Sequence, residues 1–144
     1  MGLEPPAPSA RQAGPAPDTH APDGSEIRLL TGLGDLVQRA SLCEVSLGPG
    51  RTSRPVRHRT VEEIWYVLSG RGHVWRAPPE PGSHREGIID VVAGDALTIP
   101  RGWSFQFAAT GDEPLRFLCY TSPPWPGNEE AAPVAAGGLG QPSV

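Results

Sequence analysis

The sequence predicts an all-β fold, a jelly-roll β-barrel of about eight or more strands. Short segments alternate apolar and polar residues with the period of a strand, and Gly and Pro residues separate these segments. No window of adequate length carries a helical period. Closing the strands into a barrel would remove exposed sheet edges, so a strand count near eight favours a closed architecture.

The strand predictions rest on local patterns taken in chain order. Residues 40–47 (ASLCEVSL) alternate between two faces until a Gly-Pro-Gly turn ends them. Residues 63–68 (EIWYVL) are rich in the aromatic and β-branched side chains that favour strands. The full set of predicted strands is 26–30, 40–47, 63–68, 73–76, 87–92, 96–99, 103–108 and 115–121, with residues 51–60 extended.

The two ends of the chain differ from its middle in composition. Much of the Gly and Pro, 18 residues of each among 144, lies in residues 1–24 and 126–144, where large apolar side chains are few. Such segments cannot bury enough apolar surface to offset the entropy of ordering. The sequence therefore predicts a disordered Pro-rich tail over 1–24, one domain over 25–125, and a flexible C-terminal tail over 126–144.

Charge and hydropathy narrow the classes of partner. The net charge is −4, and the twelve basic residues, all Arg, are scattered, which argues against a nucleic-acid partner. No apolar run has a membrane-spanning length and the N-terminus lacks a signal-peptide pattern, so we expect no membrane partner and a cytoplasmic location. Cys43 and Cys119 lie in separate apolar segments and are predicted to be buried thiols.

Two stretches contain the candidate functional residues. Residues 50–70 (GRTSRPVRHRTVEEIWYVLSG) contain a histidine and two carboxylates between turn glycines. Residues 94–107 (GDALTIPRGWSFQF) are predicted to lie opposite them across the barrel. Over about residues 40–122 the chain resembles the cupin superfamily. The matching positions are Gly50, His58, Glu63 and Gly70 in the first cupin motif, and Gly94, Pro100 and Gly102 in the second.

The resemblance implies an incomplete metal site. A full cupin site holds a divalent metal with three His and one Glu, whereas here Val56 and Phe105 stand at two of the histidine positions. His58 and Glu63 are the remaining ligands for Fe, Mn, Ni or Zn if such a metal is bound. Three protein ligands are the usual minimum for a catalytic metal, so no cofactor is expected.

Without a metal, His58 and Glu63 form a candidate catalytic acid–base pair, because an imidazole beside a carboxylate can transfer protons near neutral pH. The alternative is an inert pair that fills the barrel. Strand alternation and the motif register predict a substrate pocket, although ordinary core packing is the favoured interpretation for Phe107. The predicted pocket residues are Val56, Trp65, Val67, Phe105, Phe107 and Tyr120.

The resulting functional prediction is a small-molecule-binding cupin, an isomerase, cyclase or dehydratase that works by proton transfer without a metal. In it His58 is the general acid or base, Glu63 orients it, and Trp65 and Phe105 hold the substrate. Two alternatives remain open: a metal-dependent dioxygenase or sugar isomerase with an unusual ligand set, and a non-catalytic ligand-binding or sensing module. The resemblance also implies a homodimer, because many cupins pair through their sheets.

Overall fold

A computed structural model describes residues 2–144 of the protein, and β-strands dominate it. The strands are β1 Thr19–His20, β2 Glu26–Thr31, β3 Ser41–Leu47, β4 Val56–His58, β5 Glu62–Ser69, β6 Arg71–Ala77, β7 Gly87–Val92, β8 Ala96–Ile99, β9 Ser104–Ala109, β10 Leu115–Ser122 and β11 Ala131–Pro133. A 3₁₀ turn, Asn128–Glu130, precedes β11. Within the described residues, no helix has the length and hydrophobicity needed to cross a bilayer.

The strands form two antiparallel sheets. The six-stranded sheet has the order β1-β2-β3-β10-β5-β8, and the five-stranded sheet has the order β11-β4-β9-β6-β7. The chain passes repeatedly from one sheet to the other, as in a jelly roll, and the core lies between them. The all-β jelly-roll prediction is confirmed, as two facing sheets that retain edge strands.

The centre of the core is aromatic. Trp65 on β5 stacks on Phe117 of β10 with ring centroids 4.1 Å apart, and meets Phe107 of β9 edge-on at 5.2 Å. Phe105 completes the cluster at 5.6 Å from Trp65. Trp65 alternates with exposed residues along β5, so the period of two read from the sequence selects the buried face there. On β9 the intervening Gln106 is buried as well, because the C-terminal segment covers it.

The backbone at the last position of the first motif requires glycine. Gly70 lies at the β5–β6 turn with φ 79°, a left-handed conformation that favours glycine. A methyl group added there would lie 2.2 Å from the carbonyl oxygen of Pro114. Any side chain at this position would therefore push the β5–β6 turn away from the start of β10.

Both ends of the chain contribute strands that the sequence did not predict. Strand β1 pairs with β2, and β11 pairs with β4. The last residues also contact the five-stranded sheet, where Gln106 donates to the carbonyl of Gly140 and accepts from the backbone N–H of Leu139. These segments have little hydrophobic periodicity, and backbone pairing with an existing sheet edge orders them instead.

Candidate functional site

His58 is the centre of the candidate site. It ends β4, where β9 and β11 flank the strand, and its side chain is 4% exposed. The imidazole meets Phe105 edge-on with ring centroids 5.1 Å apart, and Trp125 at 5.2 Å. Its Nδ1 atom is buried and has no hydrogen-bond partner. An unpaired buried polar atom is costly, and such atoms in native proteins often have a functional reason.

Glu63 is held beside His58 by two hydrogen bonds. Trp65 donates from Nε1 to Oε1 at 2.9 Å, and the Thr121 hydroxyl donates to Oε2 at 3.2 Å. The second oxygen lies 3.7 Å from His58 Nδ1, which is close enough for electrostatic attraction but longer than a hydrogen bond. The carboxylate therefore has a fixed orientation beside the imidazole, with no hydrogen bond between the two groups.

His58 and Glu63 face a partly open cavity of about 80 Å³ between the two sheets. Of the predicted pocket residues, Val56, Trp65 and Phe105 line it. Val67 and Phe107 are buried in the surrounding core and do not form the cavity wall. The wall is largely apolar, and most of its polar groups come from the strands that carry His58 and Glu63 and from the N-terminal segment.

The prediction for Tyr120 was wrong. Its side chain is 43% exposed on the outer face of the six-stranded sheet. The neighbouring Cys119 and Thr121 point inward, opposite Trp65 and Glu63 of β5. Because successive residues of a strand face opposite sides, Tyr120 cannot share the cavity with them.

Sequence reasoning missed the contribution of the N-terminal segment. Asp23 and Ser25 line the cavity, and Asp23 Oδ1 accepts hydrogen bonds from the Ser25 backbone at 2.9 Å and from its hydroxyl at 2.6 Å. Burial raises the pKa of Asp23 above its ordinary value, and the charge of Glu63 adds to the effect. The Pro-Asp-Gly-Ser sequence at residues 22–25 is typical of a turn and could have indicated local structure. The Pro-rich composition around it indicated a disordered tail instead.

Two thiols complete the inner wall. Cys43 on β3 lies directly opposite Cys119 on β10, and both are free and line the cavity. Cys119 is buried and Cys43 half-buried, in agreement with the thiol prediction except for this partial exposure. Burial raises the pKa of Cys119, which keeps it in the unreactive thiol form.

The loop that joins His58 to Glu63 is held by a buried carboxylate from the C-terminal segment. Glu130 Oε1 accepts the backbone N–H of Thr60 and, at 2.9 Å, that of Val61. Both carboxylate oxygens also lie 2.8 Å from the Thr60 hydroxyl. Burial opposes ionisation of Glu130, but these hydrogen bonds, with the nearby His58, lower its pKa below the ordinary 4.5.

We expect Glu130→Ala to lower the free energy of unfolding by about 1–3 kcal/mol at pH 7, because the buried N–H of Val61 and the partly buried N–H of Thr60 lose their acceptor. The folded-state pKa is lowered, so this contribution is fully present above about pH 4.5 and is lost as pH falls through the lowered value. Urea unfolding at pH 7 and pH 3 measures the change. The exposed neighbour Glu129→Ala is the control, and an equal loss in both variants would contradict the assignment.

The residues present do not match the metal site of a full cupin. Val56 and Phe105, which occupy two of the expected histidine positions, place hydrocarbon next to His58. Among residues 2–144, the structure brings together no group of three or more His, Cys, Asp or Glu side chains with metal-binding geometry. His58 and Glu63 are thus two donors where the usual catalytic site has at least three.

Two curated relatives match the central part of the chain. An uncharacterised protein of Methanocaldococcus jannaschii is 30% identical over 87 residues, which cover 60% of this chain and 63% of that protein. The 1-methylthio-D-xylulose 5-phosphate methylsulfurylase of Rhodospirillum rubrum is 41% identical over 76 residues, covering 51% of this chain and 41% of that protein. The chain therefore spans less than two thirds of the length of either relative.

Solved structures share the fold at low identity. Oxalate decarboxylase of Bacillus subtilis, which has Mn(II) centres, superposes with a TM-score of 0.62 at 19% identity, covering 74% of this chain and 27% of that one. The cupin domain of Drosophila melanogaster CENP-C superposes with a TM-score of 0.58 at 17% identity, covering 69% of this chain and 66% of that one. These similarities concern the fold alone.

The family assignment comes from a different comparison. The family model for the cupin domain matches residues 43–121, more than half of the chain, and includes His58, Glu63 and the strands that carry them. The two facing sheets and the motif glycines agree with this match. The chain belongs to the cupin domain family.

Proposed function

We propose that this cupin is an enzyme that binds a small organic molecule in the cavity and isomerises, cyclises or dehydrates it by proton transfer, without a tightly bound metal. One observation carries the proposal: His58 Nδ1 is buried, has no partner, and lies 3.7 Å from a carboxylate that other residues hold in place. A site arranged in this way has a proton acceptor ready and a negative charge beside it.

In the proposed reaction, His58 accepts a proton from a C–H bond of the bound molecule on the part of its imidazole that lines the cavity, because Nδ1 is buried and faces Glu63. The charge of Glu63 then stabilises the imidazolium, and the hydrogen bonds from Trp65 and Thr121 keep the carboxylate from moving toward it. Return of the proton to a different atom of the same molecule completes an isomerisation, and its delivery to a departing hydroxyl completes a dehydration.

Solvent exchange tests the proposal directly. The protein as purified is incubated in D₂O with a panel of small carbonyl and hydroxy compounds, and NMR detects protein-dependent deuterium incorporation. Exchange in protein without stoichiometric metal supports the proposal. Stoichiometric Fe, Mn, Ni or Zn that is lost in Glu63→Gln would replace it with the metal-dependent dioxygenase or sugar isomerase. A ligand that co-purifies and is never converted would indicate a binding or sensing module.

We also propose that the protein is a homodimer that pairs through the outer face of the six-stranded sheet. Ile64, Tyr66 and Tyr120 lie there and are 50%, 48% and 43% exposed. The strand register places Tyr120 beside Ile64, so the apolar side chains are contiguous across β5 and β10. Arg116, whose side chain is 42% exposed and pairs with the buried Glu44 at 2.7 Å, lies on the same strand as Tyr120 and offers a polar contact beside the apolar patch.

We expect Tyr66→Glu to convert the dimer to a monomer, because a buried unpaired carboxylate at the interface costs several kcal/mol. Light scattering coupled to size-exclusion chromatography gives the mass. Ile88→Glu, at an equally exposed position of the other sheet, is the control and leaves the dimer intact. A wild-type chain that is monomeric at every accessible concentration contradicts the proposal.

A further inference from the structure

The cavity wall contains acidic side chains and lacks a permanently basic one among the described residues. The ionisable groups that line it are the carboxyls of Asp23 and Glu63, the imidazoles of His20 and His58, and the thiols of Cys43 and Cys119. Of the residues in the described part of the chain, no arginine lines the cavity, and the sequence contains no lysine. The wall therefore carries two carboxyl groups and no permanently positive side chain.

The free hydrogen-bonding groups of the wall also favour a ligand that donates hydrogen bonds over an anionic one. Glu63 already accepts from Trp65 and Thr121 with one bond to each oxygen. Asp23 accepts two hydrogen bonds from Ser25, both on Oδ1. Its Oδ2 can therefore accept a hydrogen bond from a bound molecule. An anionic ligand needs several donors or a guanidinium, and here it would be buried beside carboxylate oxygens that repel it.

The size of the cavity further limits the ligand. At about 80 Å³ it is smaller than the engineered cavity of about 150 Å³ that admits benzene, so a short aliphatic skeleton fits better than an aromatic ring. The aromatic side chains of Trp65, Phe105 and Trp125 provide apolar contact for that skeleton.

We propose that the cavity takes a short aliphatic molecule with an N–H or O–H donor, uncharged or cationic, and excludes carboxylates and phosphates through Asp23 and Glu63. This rests on the proposed function in placing the ligand at the same cavity.

The names of two similar proteins refer to oxalate and to a sugar phosphate, both anionic. This chain would therefore differ from those proteins in the charge of its substrate. Asp23 belongs to the N-terminal segment, outside the matched family region, so ligand charge is selected by a part of the chain that the family motifs do not contain.

Three probes of nearly identical shape test the charge preference. Isobutyramidine, isobutyramide and isobutyrate share one carbon skeleton and carry a cationic, a neutral and an anionic planar group at pH 7. Titrations followed by ¹H–¹⁵N NMR give the dissociation constants. We expect the amidinium to bind most tightly and the carboxylate to bind at least about tenfold more weakly than the amide, since like charges in a buried site repel.

Charge-removing variants assign the preference to the two carboxyls. Asp23→Asn and Glu63→Gln each narrow the gap between isobutyramide and isobutyrate, and the two together abolish it. Asp90→Asn removes the same charge from an exposed site on β7, 83% exposed at the side chain, and leaves the gap unchanged. The Asp23→Asn variant retains an amide oxygen that accepts from Ser25, so the turn is preserved.

The outcomes separate this inference from the proposed function. Binding of isobutyrate as tight as that of isobutyramide, no binding of any probe, or an unchanged gap in both charge variants would each overturn the ligand class. Deuterium exchange that depends on His58 would survive such results, because it requires no particular ligand charge. Conversely, a clear preference for the amidinium without any exchange activity would leave the ligand class standing and overturn the proton-transfer enzyme.

Discussion

A His58→Gln variant is expected to lose about 10²–10⁴-fold of the rate of deuterium incorporation into a converted compound. Glutamine has a similar volume and keeps polar atoms at the cavity wall, but it cannot accept a proton at neutral pH. The edge-on contacts of the ring with Phe105 and Trp125 are partly replaced, so the position stays packed. The loss should therefore appear in the rate and not in the fold.

The control for this variant is His73→Gln. His73 lies on β6, where its Nδ1 is 2.5 Å from Asp90 Oδ1, and its side chain is 44% exposed. It carries the same substitution outside the cavity and should exchange at the wild-type rate. An unchanged rate in His58→Gln, with both variants folded by circular dichroism, would remove His58 from the mechanism.

A Trp65→Ala variant is expected to lose about 3–5 kcal/mol of the free energy of unfolding. Trp65 is 2% exposed, and its indole contacts Phe105, Phe107 and Phe117 at the centre of the core. Removing it creates a cavity that the two sheets cannot easily fill, and it also leaves Glu63 without one of its donors. The expected loss is a large fraction of the stability of a small domain.

Trp65→Phe separates the two contributions. It keeps a stacked ring but removes the hydrogen bond to Glu63, so we expect a smaller loss of about 1–3 kcal/mol. Trp103→Ala is the matched control, because Trp103 is half-buried and packs beneath Arg85 at the surface. Urea denaturation measures all three. Equal losses for Trp65→Ala and Trp103→Ala would contradict the central role of Trp65 in the core.

The strands could be predicted because they depend on local pattern. Each buried strand repeats with period two, and a Gly or Pro turn ends it, so residues 40–47 and 63–68 were located within about two residues of β3 and β5. The motif spacing also placed His58 and Glu63 in the same site. Tyr120 was misplaced because its aromatic character was weighed ahead of the alternation that puts Cys119 and Thr121 inside.

The terminal segments could not be predicted in this way. Strands β1 and β11 and the buried Asp23 and Glu130 come from Pro-rich or Gly-rich stretches without hydrophobic periodicity. These segments adopt a defined structure because they form hydrogen bonds with strand edges and loops of the two sheets. Those edges and loops exist only in the folded protein. Composition measures what a segment can bury alone and takes no account of an edge elsewhere in the fold.

Short-range information in this chain thus specified the all-β fold, the family motifs, and the pairing of one imidazole with one carboxylate. The folded arrangement decided the charge of the cavity, the missing partner of His58 Nδ1, and the support that Glu130 gives to the loop between His58 and Glu63. The physical reason is distance along the chain. Asp23 and Glu130 lie about 35 and 70 residues from the groups they influence, and only tertiary contact brings their charges within electrostatic range.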